Sequence, residues 1–97
     1  MQKIAKRWLE WTKSSQRHLA EIEAYIEQDN PVAAQAVISH IMEIAEQLIL
    51  FPLSGRPIGR QGVRTRVIIR YPYALYYRLK PGKIQIVRVV HQSRQFP

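Results

Sequence analysis

The hydrophobic pattern of this chain changes its period near Pro52. Between Thr12 and that proline, apolar residues recur every three or four positions, as they do on one face of an α-helix. Beyond Val63, apolar residues alternate with polar ones or stand in β-branched and aromatic runs, which is typical of β-strands. A helical first half followed by consecutive strands predicts an α+β domain.

Two helices are predicted in the first half. Thr12 is the expected N-cap of the first helix, and Asn30 with Pro31 is the expected start of the second, because proline loses no hydrogen bond at the first helical position. The second helix should end near Phe51, since Pro52 cannot continue it. The break between the helices is short, so they should be antiparallel neighbours. The apolar positions at helical spacing are Leu19, Ile22, Tyr25, Ile26, Ala34, Val37, Ile38, Ile41, Ile44, Ala45 and Leu48.

Four strands are predicted around these helices. One precedes them, and three follow a glycine- and proline-rich loop at residues 52–62, with a tight turn at Pro81-Gly82 between the last two. The predicted strands are residues 4–11, 64–70, 73–80 and 84–91. This β-α-α-β-β-β order predicts a two-layer α+β domain in which a helical hairpin packs on one face of an antiparallel sheet.

Pairing about the Pro81-Gly82 turn assigns side chains to the two faces of the sheet. The helix-facing side should carry Tyr73, Leu75, Tyr77, Leu79, Ile84, Ile86 and Val90. The opposite, open side should carry Ala74, Tyr76, Arg78, Gln85, Val87, Val89 and His91. A turn at Tyr71–Tyr73 would add Arg64, Arg66, Ile68 and Arg70 to the open side. Arg88 has no place in this alternation without a β-bulge or an edge position.

Composition limits the classes of protein to consider. The 97 residues, of which 46% are hydrophobic, make one domain over residues 1–97. Without cysteine there is no disulfide or thiolate metal site, and three scattered histidines, of which His18 and His40 should be exposed, give no metal-ligand spacing, so we expect no metal or cofactor. No signal peptide and no membrane-spanning run are present, which predicts a cytoplasmic protein without membrane contact.

The charge is divided unevenly between the two halves. Residues from Phe51 to Pro97 include ten Lys or Arg and no Asp or Glu, which gives +10 against −2 in the first fifty residues. Such a half should bind something acidic: nucleic acid, a nucleoprotein machine or an acidic protein. An open sheet face that mixes arginine with tyrosine and apolar residues is typical of a protein interface.

Five segments carry a family resemblance. They are Trp11-Thr12 with Leu19, Ile22, Tyr25 and Ile26; Asp29-Asn30-Pro31 with Ala33-Ala34; Phe51-Pro52-x-x-Gly55-Arg56-x-x-Gly59; Val63-Arg64-x-x-Val67 with Tyr71-Pro72-Tyr73-x-x-Tyr76-Tyr77-Arg78; and Ile84-x-Ile86-x-Arg88-Val89-x-His91-x-x-Arg94-Gln95. In this order they resemble the RelE/ParE superfamily of bacterial toxins over residues 5–97. The pattern is closer to the ParE branch than to RelE.

The resemblance implies the toxin component of a type II toxin–antitoxin system. It implies a cognate antitoxin with an acidic, partly disordered C-terminal segment, assembled with the toxin into a higher-order complex. We expect that segment to cover the open side of the sheet. The expected antitoxin-binding residues are Arg64, Arg66, Ile68, Arg70, Tyr76, Arg78 and Val87.

Two target classes follow from the resemblance, and a third function does not need it. ParE-type toxins inhibit DNA gyrase without cutting RNA; here the tail would bind the target through His91, Arg94, Gln95 and Phe96, with no catalytic residue. RelE-type toxins cut messenger RNA on the ribosome; the candidate catalytic residues would be His91, Arg64, Arg66, Arg78 and Arg94. RelE-type enzymes often carry a C-terminal Tyr, and this sequence has none after Tyr77. The third possibility is a nucleic-acid-binding module that uses only its net charge.

Overall fold

The computed structural model describes residues 8–59 and 61–94, the side chain of Arg94 excepted. Its elements are β1 (Trp8–Trp11), α1 (Lys13–Glu27), α2 (Pro31–Leu50), β2 (Arg56–Ile58), β3 (Val63–Ile68), β4 (Tyr73–Lys80), β5 (Lys83–His91) and a 3-10 turn at Gln92–Arg94. Residues 4–7 of the predicted first strand lie outside the described part of the chain.

Both predicted helices are confirmed, and local capping explains where they begin. The Oγ1 atom of Thr12 accepts a hydrogen bond of 3.1 Å from the N–H of Ser15, and the Oδ1 atom of Asn30 accepts one of 3.0 Å from the N–H of Ala33. These side chains satisfy N–H groups that have no partner within the helix. The second helix ends at Leu50, two residues before Pro52.

The two-layer α+β architecture is confirmed, and the sheet is larger and more mixed than predicted. Its order is β1-β5-β4-β3-β2, and β1 runs parallel to β5 while all the other neighbours are antiparallel. The fifth strand, β2, lies inside the predicted loop. It is three residues long and contains Pro57, which suits the exposed edge of a sheet because proline has no N–H to donate.

The core lies between the sheet and the second helix, with the first helix beside it. The buried residues of this core are Val37, Ile41, Ile44, Ala45 and Leu48 from α2, and Ile68, Tyr73, Leu75, Tyr77, Ile84, Ile86 and Val89 from the strands. The predicted helix face of α2 is therefore the face that is buried. Leu79 was predicted to be buried as well, but it is 37% exposed at the end of the β4–β5 hairpin.

The β3–β4 register differs from the prediction. Ile68 pairs with Tyr73, so the turn between the strands has four residues rather than the three of a turn centred on Pro72. The shift is by an odd number of residues, and it moves every β3 side chain to the opposite face. Arg64 and Arg66 therefore pair with Tyr77 and Leu75 on the helix-facing side of the sheet.

A β-bulge in the last strand places Arg88. Tyr77 pairs with Ile86 while Tyr76 pairs with Arg88, so Val87 is the extra residue opposite them. The bulge moves Arg88 to the open side and sends Val89, which is 4% exposed, into the core. The prediction had Val89 on the open side and Val90 in the core, and the bulge reverses both.

The hydroxyl of Tyr77 ties the loop after α2 to the sheet. It donates a hydrogen bond of 2.7 Å to the carbonyl oxygen of Pro52 and accepts one of 2.9 Å from the N–H of Gly55. A Cβ atom at Gly55 would lie 2.7 Å from that hydroxyl and 2.7 Å from the carbonyl oxygen of Thr65. Position 55 therefore requires glycine. The loop fixed in this way leads into β2, which pairs with the edge of β3.

Replacing Tyr77 by Phe should destabilise the fold by about 1–3 kcal/mol, because the buried N–H of Gly55 loses its partner. Urea unfolding of the purified protein would measure this loss. Tyr71→Phe is the matched control, since its ring packs against His40 at 5.6 Å, and it should change stability by less than about 0.5 kcal/mol. Equal stability of wild type and Tyr77→Phe would contradict the role of this hydroxyl.

Candidate partner-binding surface

The side of the sheet that faces away from the helices carries a concave surface of about 550 Å³, the open-face groove. Strands β3, β4 and β5 supply its floor, and the turn after β2 supplies one wall. The residues that define it are Ile58, Val63, Tyr76, Arg78, Val87 and Arg88. Apolar and aromatic side chains thus alternate with two guanidinium groups, a combination that is typical of the centre of protein interfaces.

Arg78 is half-buried in this groove, and its Nε atom has no hydrogen-bond partner among the described residues. The ion pairs within the described part of the chain are Arg17–Glu21, His40–Glu43 and Lys83–Glu10. All three use carboxylates of the first half. A buried, unpaired donor on a charged group is costly, so Arg78 is a place where an external acceptor would bind well.

Arg88 and Tyr76 form the boundary between the groove and a second concavity. The Arg88 Cζ atom lies 5.7 Å from the Tyr76 ring centroid, within the range of a cation–π contact. On the other side of this pair lies the α1 cavity, of about 290 Å³, which we define by His18, Glu21, Tyr25, Tyr76, Arg88 and His91. The two concavities share Tyr76 and Arg88 and so form one continuous surface.

Helix α1 covers the edge of β5 beyond the last residue paired with β1. The N–H of Thr12 donates to the Ile86 carbonyl oxygen at 3.1 Å, and the Thr12 hydroxyl donates to that of Val87 at 3.3 Å. Farther along, the N–H of Val89 donates to the Nδ1 atom of His18 at 3.2 Å. His18 was predicted to be exposed, but this contact makes it half-buried; His40, packed on Tyr71, is half-buried too.

His91 ends β5 and is held by local contacts. Its ring packs edge-on against Tyr73 with centroids 5.1 Å apart. The Nδ1 atom accepts a hydrogen bond of 3.2 Å from the N–H of Ser93, and the Ser93 hydroxyl lies 2.7 Å away. The prediction had it on the open face, but the bulge pairs it with Tyr73 instead. One ring nitrogen of His91 is therefore already engaged by the turn that follows the strand.

Four of the seven predicted antitoxin-binding residues do not line the open-face groove. Ile68 is 1% exposed and belongs to the core. The Nη1 atom of Arg64 donates to the Gly55 carbonyl oxygen at 2.6 Å, and the Nη2 atom of Arg66 reaches Gln47 of α2 at 3.4 Å. Arg70 is exposed in the turn after β3 rather than on a strand. Only Tyr76, Arg78 and Val87 of the predicted set line the groove.

The four candidate catalytic residues whose side chains the structure describes are not brought together at one place. Arg64 and Arg66 lie on the helix-facing side, Arg78 lies in the open-face groove, and His91 lies at the end of β5. The side chain of Arg94 is not described, and the predicted target-binding residues Gln95 and Phe96 lie outside the described part of the chain. The backbone before them is anchored, because the N–H of Gln92 donates to the Pro72 carbonyl oxygen at 2.8 Å.

Ile58, Val63 and Arg88 were missed as surface residues by sequence reasoning. The glycines at positions 59 and 62 were the sequence signal for the first two, because glycine favours the left-handed conformation that hairpin turns use. In the structure their φ angles are 64° and 75°, and a strand does precede them. The signal for Arg88 was its conflict with the alternation of β5.

No group of three or more metal-binding side chains occurs in residues 8–59 and 61–94, and neither helix in these residues has the length and hydropathy of a membrane span.

The sequence matches one protein family over nearly its whole length. The family model of the ParE toxin of the type II toxin–antitoxin system parDE matches residues 9–96. The chain is 35% identical to Y4kP of Sinorhizobium fredii, named as a candidate toxin. The match extends over 94 residues, which are 97% of each chain. It is 32% identical over 84 residues to toxin RelE2 of Caulobacter vibrioides, which is 87% of this chain and 93% of that toxin.

Solved structures of toxin–antitoxin systems share the fold. A chain of the chromosomal ParDE system from P. aeruginosa has a TM-score of 0.81 and 27% identity, and the match covers 91% of this chain and 98% of that one. A chain of the RelBE2 toxin–antitoxin complex from Mycobacterium tuberculosis has a TM-score of 0.66 and 23% identity, and the match covers 89% of this chain and 98% of that one. The second likeness concerns the fold alone.

His18 should make stability depend on pH. Partial burial lowers the pKa of its imidazole from 6.5, and the charges of Arg17 and Arg88 lower it further while Glu21 raises it. Because the folded pKa lies below the unfolded one, the contribution is complete above the unfolded pKa and is lost as pH falls through the folded pKa.

The variant His18→Gln keeps an acceptor for the N–H of Val89 and removes the titration. Urea unfolding at pH 7.5 and at steps down to pH 5 should therefore show a smaller loss of stability in the variant than in the wild type. Because both proteins contain the other histidines, the difference between their two pH profiles reports on His18 alone. Identical pH profiles would contradict the assignment to His18.

Proposed function

This chain belongs to the ParE toxin family of type II toxin–antitoxin systems, and we propose that it arrests growth by binding and inhibiting DNA gyrase through its C-terminal segment. A cognate antitoxin neutralises it in this scheme. The segment begins at the end of β5, where His91 is packed against Tyr73, and continues through Arg94, Gln95 and Phe96. Arginine and phenylalanine are side chains of the kind that anchor protein interfaces.

The observation that carries the proposal is the separation of the residues that an RNA-cleaving toxin would need. In-line cleavage requires a general base, a general acid and cations around one phosphate. Arg64 and Arg66 lie across the sheet from Arg78, and the Arg64 guanidinium already binds the Gly55 carbonyl oxygen. A toxin whose basic groups are divided in this way fits a binding mode of action better than an enzymatic one.

Ribosome-dependent cleavage of messenger RNA is the second candidate function, and one observation favours it. The α1 cavity brings His18 and His91 together with Arg88 and Tyr25, which are residue types that nucleases use. Both histidines engage a backbone N–H through Nδ1, so their Nε2 atoms are the ones left for chemistry. The 32% identity to toxin RelE2 is consistent with this alternative.

Removing Arg94 to Pro97 should abolish inhibition of gyrase while leaving the fold intact. We expect the chain that ends at Ser93 to melt within a few degrees of the wild type, because the last few residues of a domain generally contribute little to stability. It should leave DNA supercoiling by gyrase uninhibited and fail to arrest growth.

The double variant Arg94→Ala/Phe96→Ala is the matched full-length counterpart, and Arg70→Ala, in an exposed turn, is the control for loss of one positive charge. Growth arrest by the truncated chain would show that the toxic surface lies elsewhere on the molecule. A large fall in melting temperature would instead make Phe96 part of the core.

Messenger RNA should stay intact in a reconstituted translation reaction that contains ribosomes and purified toxin. Protein synthesis in that reaction should continue at the rate of the untreated control. Primer extension on the message is the direct measurement. Cuts in the ribosomal A site that disappear in His91→Ala or His18→Ala would overturn the gyrase proposal in favour of the second candidate.

A further inference from the structure

We propose that the α1 cavity is a binding site for a free nucleoside monophosphate. Arg88 and the Nε2 N–H groups of His18 and His91 would hold the phosphate, and the tyrosine rings that line the cavity would pack against the base. The ligand is bound and not transformed, so this property is additional to growth arrest. It depends neither on gyrase as the target nor on where an antitoxin docks.

The two histidines of the cavity supply hydrogen-bond donors, because their backbone contacts fix the tautomer. The Nδ1 atom of His18 accepts the N–H of Val89, and the Nδ1 atom of His91 accepts the N–H of Ser93. A ring nitrogen that accepts carries no proton, so the proton of each imidazole is on Nε2. Burial lowers the pKa of His18 from 6.5, which keeps its Nδ1 atom an acceptor at neutral pH.

Arg88 supplies the positive charge. Its Cζ atom lies 5.7 Å from the Tyr76 ring centroid, and its charge is close enough to lower the pKa of the His18 imidazole. Within the described part of the chain no carboxylate pairs with Arg88, and Glu21, which also lines the cavity, is paired with Arg17 at 3.8 Å. The guanidinium is therefore available to an anion, and it can bind two phosphate oxygens with parallel hydrogen bonds.

The walls of the cavity favour a nucleotide over a bare phosphate ion. Tyr25, Tyr73 and Tyr76 line it together with Ile22 and Val90. Aromatic rings stack on the face of any base, whereas a phosphate ion gains nothing from such contacts. The volume of about 290 Å³ is near the lower end of the range for pockets that hold small ligands, so one nucleotide would fill it.

Titration calorimetry of the purified full-length toxin with adenosine, guanosine, cytidine and uridine 5′-monophosphates tests the site. At least one of them should bind at low salt with a Kd below about 1 mM. The melting temperature should rise with the concentration of that ligand, because it binds the folded chain alone. Inorganic phosphate and the corresponding nucleoside should each bind at least about tenfold more weakly, since each makes only part of the contacts.

Variants separate the phosphate contact from the base contact. Arg88 is exposed, so Arg88→Gln should keep the fold while weakening nucleotide binding by about tenfold or more. Tyr25 is 62% exposed, and Tyr25→Leu should weaken nucleotide binding by about fivefold or more without changing the affinity for inorganic phosphate. Tyr25→Phe retains the ring and should bind as the wild type does. Arg70→Gln removes the same charge from an exposed turn outside the cavity and should leave the affinity unchanged.

No binding of any of the four monophosphates at concentrations up to about 10 mM would overturn the proposal. Equal weakening in Arg88→Gln and Arg70→Gln would also overturn it, since binding would then follow net charge alone. Equal affinities for inorganic phosphate and the monophosphates would contradict recognition of the base. Binding of a short single-stranded RNA without binding of any mononucleotide would overturn the proposal and assign the cavity to an RNA strand. Mononucleotides contain no internucleotide bond, so these results are independent of the gyrase and messenger RNA measurements.

Discussion

The pairing of β4 with β5 is the constraint on which the rest of this structure depends. The two strands form the centre of the sheet. One extra residue in β5, Val87, shifts the alternation of side chains, so even-numbered positions face the core before it and odd-numbered positions face the core after it. Before the bulge, Ile84 and Ile86 point into the core; after it, Val89 does so. Without the bulge, Val89 would lie on the open face instead of in the core. The Arg88 guanidinium would then point towards the helices, where burial of an unpaired charge is costly.

The concave surface that we propose to be functional is a consequence of that one irregularity. The bulge presents Arg88 on the ring of Tyr76 and thereby joins the open-face groove to the α1 cavity. The part of β5 beyond its pairing with β1 is sealed by α1, through Thr12 and His18, so this edge is closed to another strand. We propose the open face for the antitoxin and the C-terminal segment for the target.

Local signals in the sequence predicted local structure well. Thr12, Asn30 and Pro31 marked the helix starts because capping is a contact between neighbours in the chain. The faces of β4 followed from alternation about Pro81-Gly82. Pairings set by distant contacts or by turn length were not readable: the parallel partner of β1 is the last strand, and a four-residue turn after Ile68 moved Arg64 and Arg66 to the other side. The candidate site was accordingly found in part, through Tyr76, Arg78 and Val87.

We propose that this member of the ParE toxin family arrests growth at DNA rather than at the ribosome. The most direct measurement is the incorporation of labelled thymidine and labelled methionine in growing cells during the first minutes after induction of the toxin. Inhibition of gyrase predicts that thymidine incorporation falls first while methionine incorporation continues. A fall in methionine incorporation with DNA synthesis intact would contradict this proposal and identify the translating ribosome as the target.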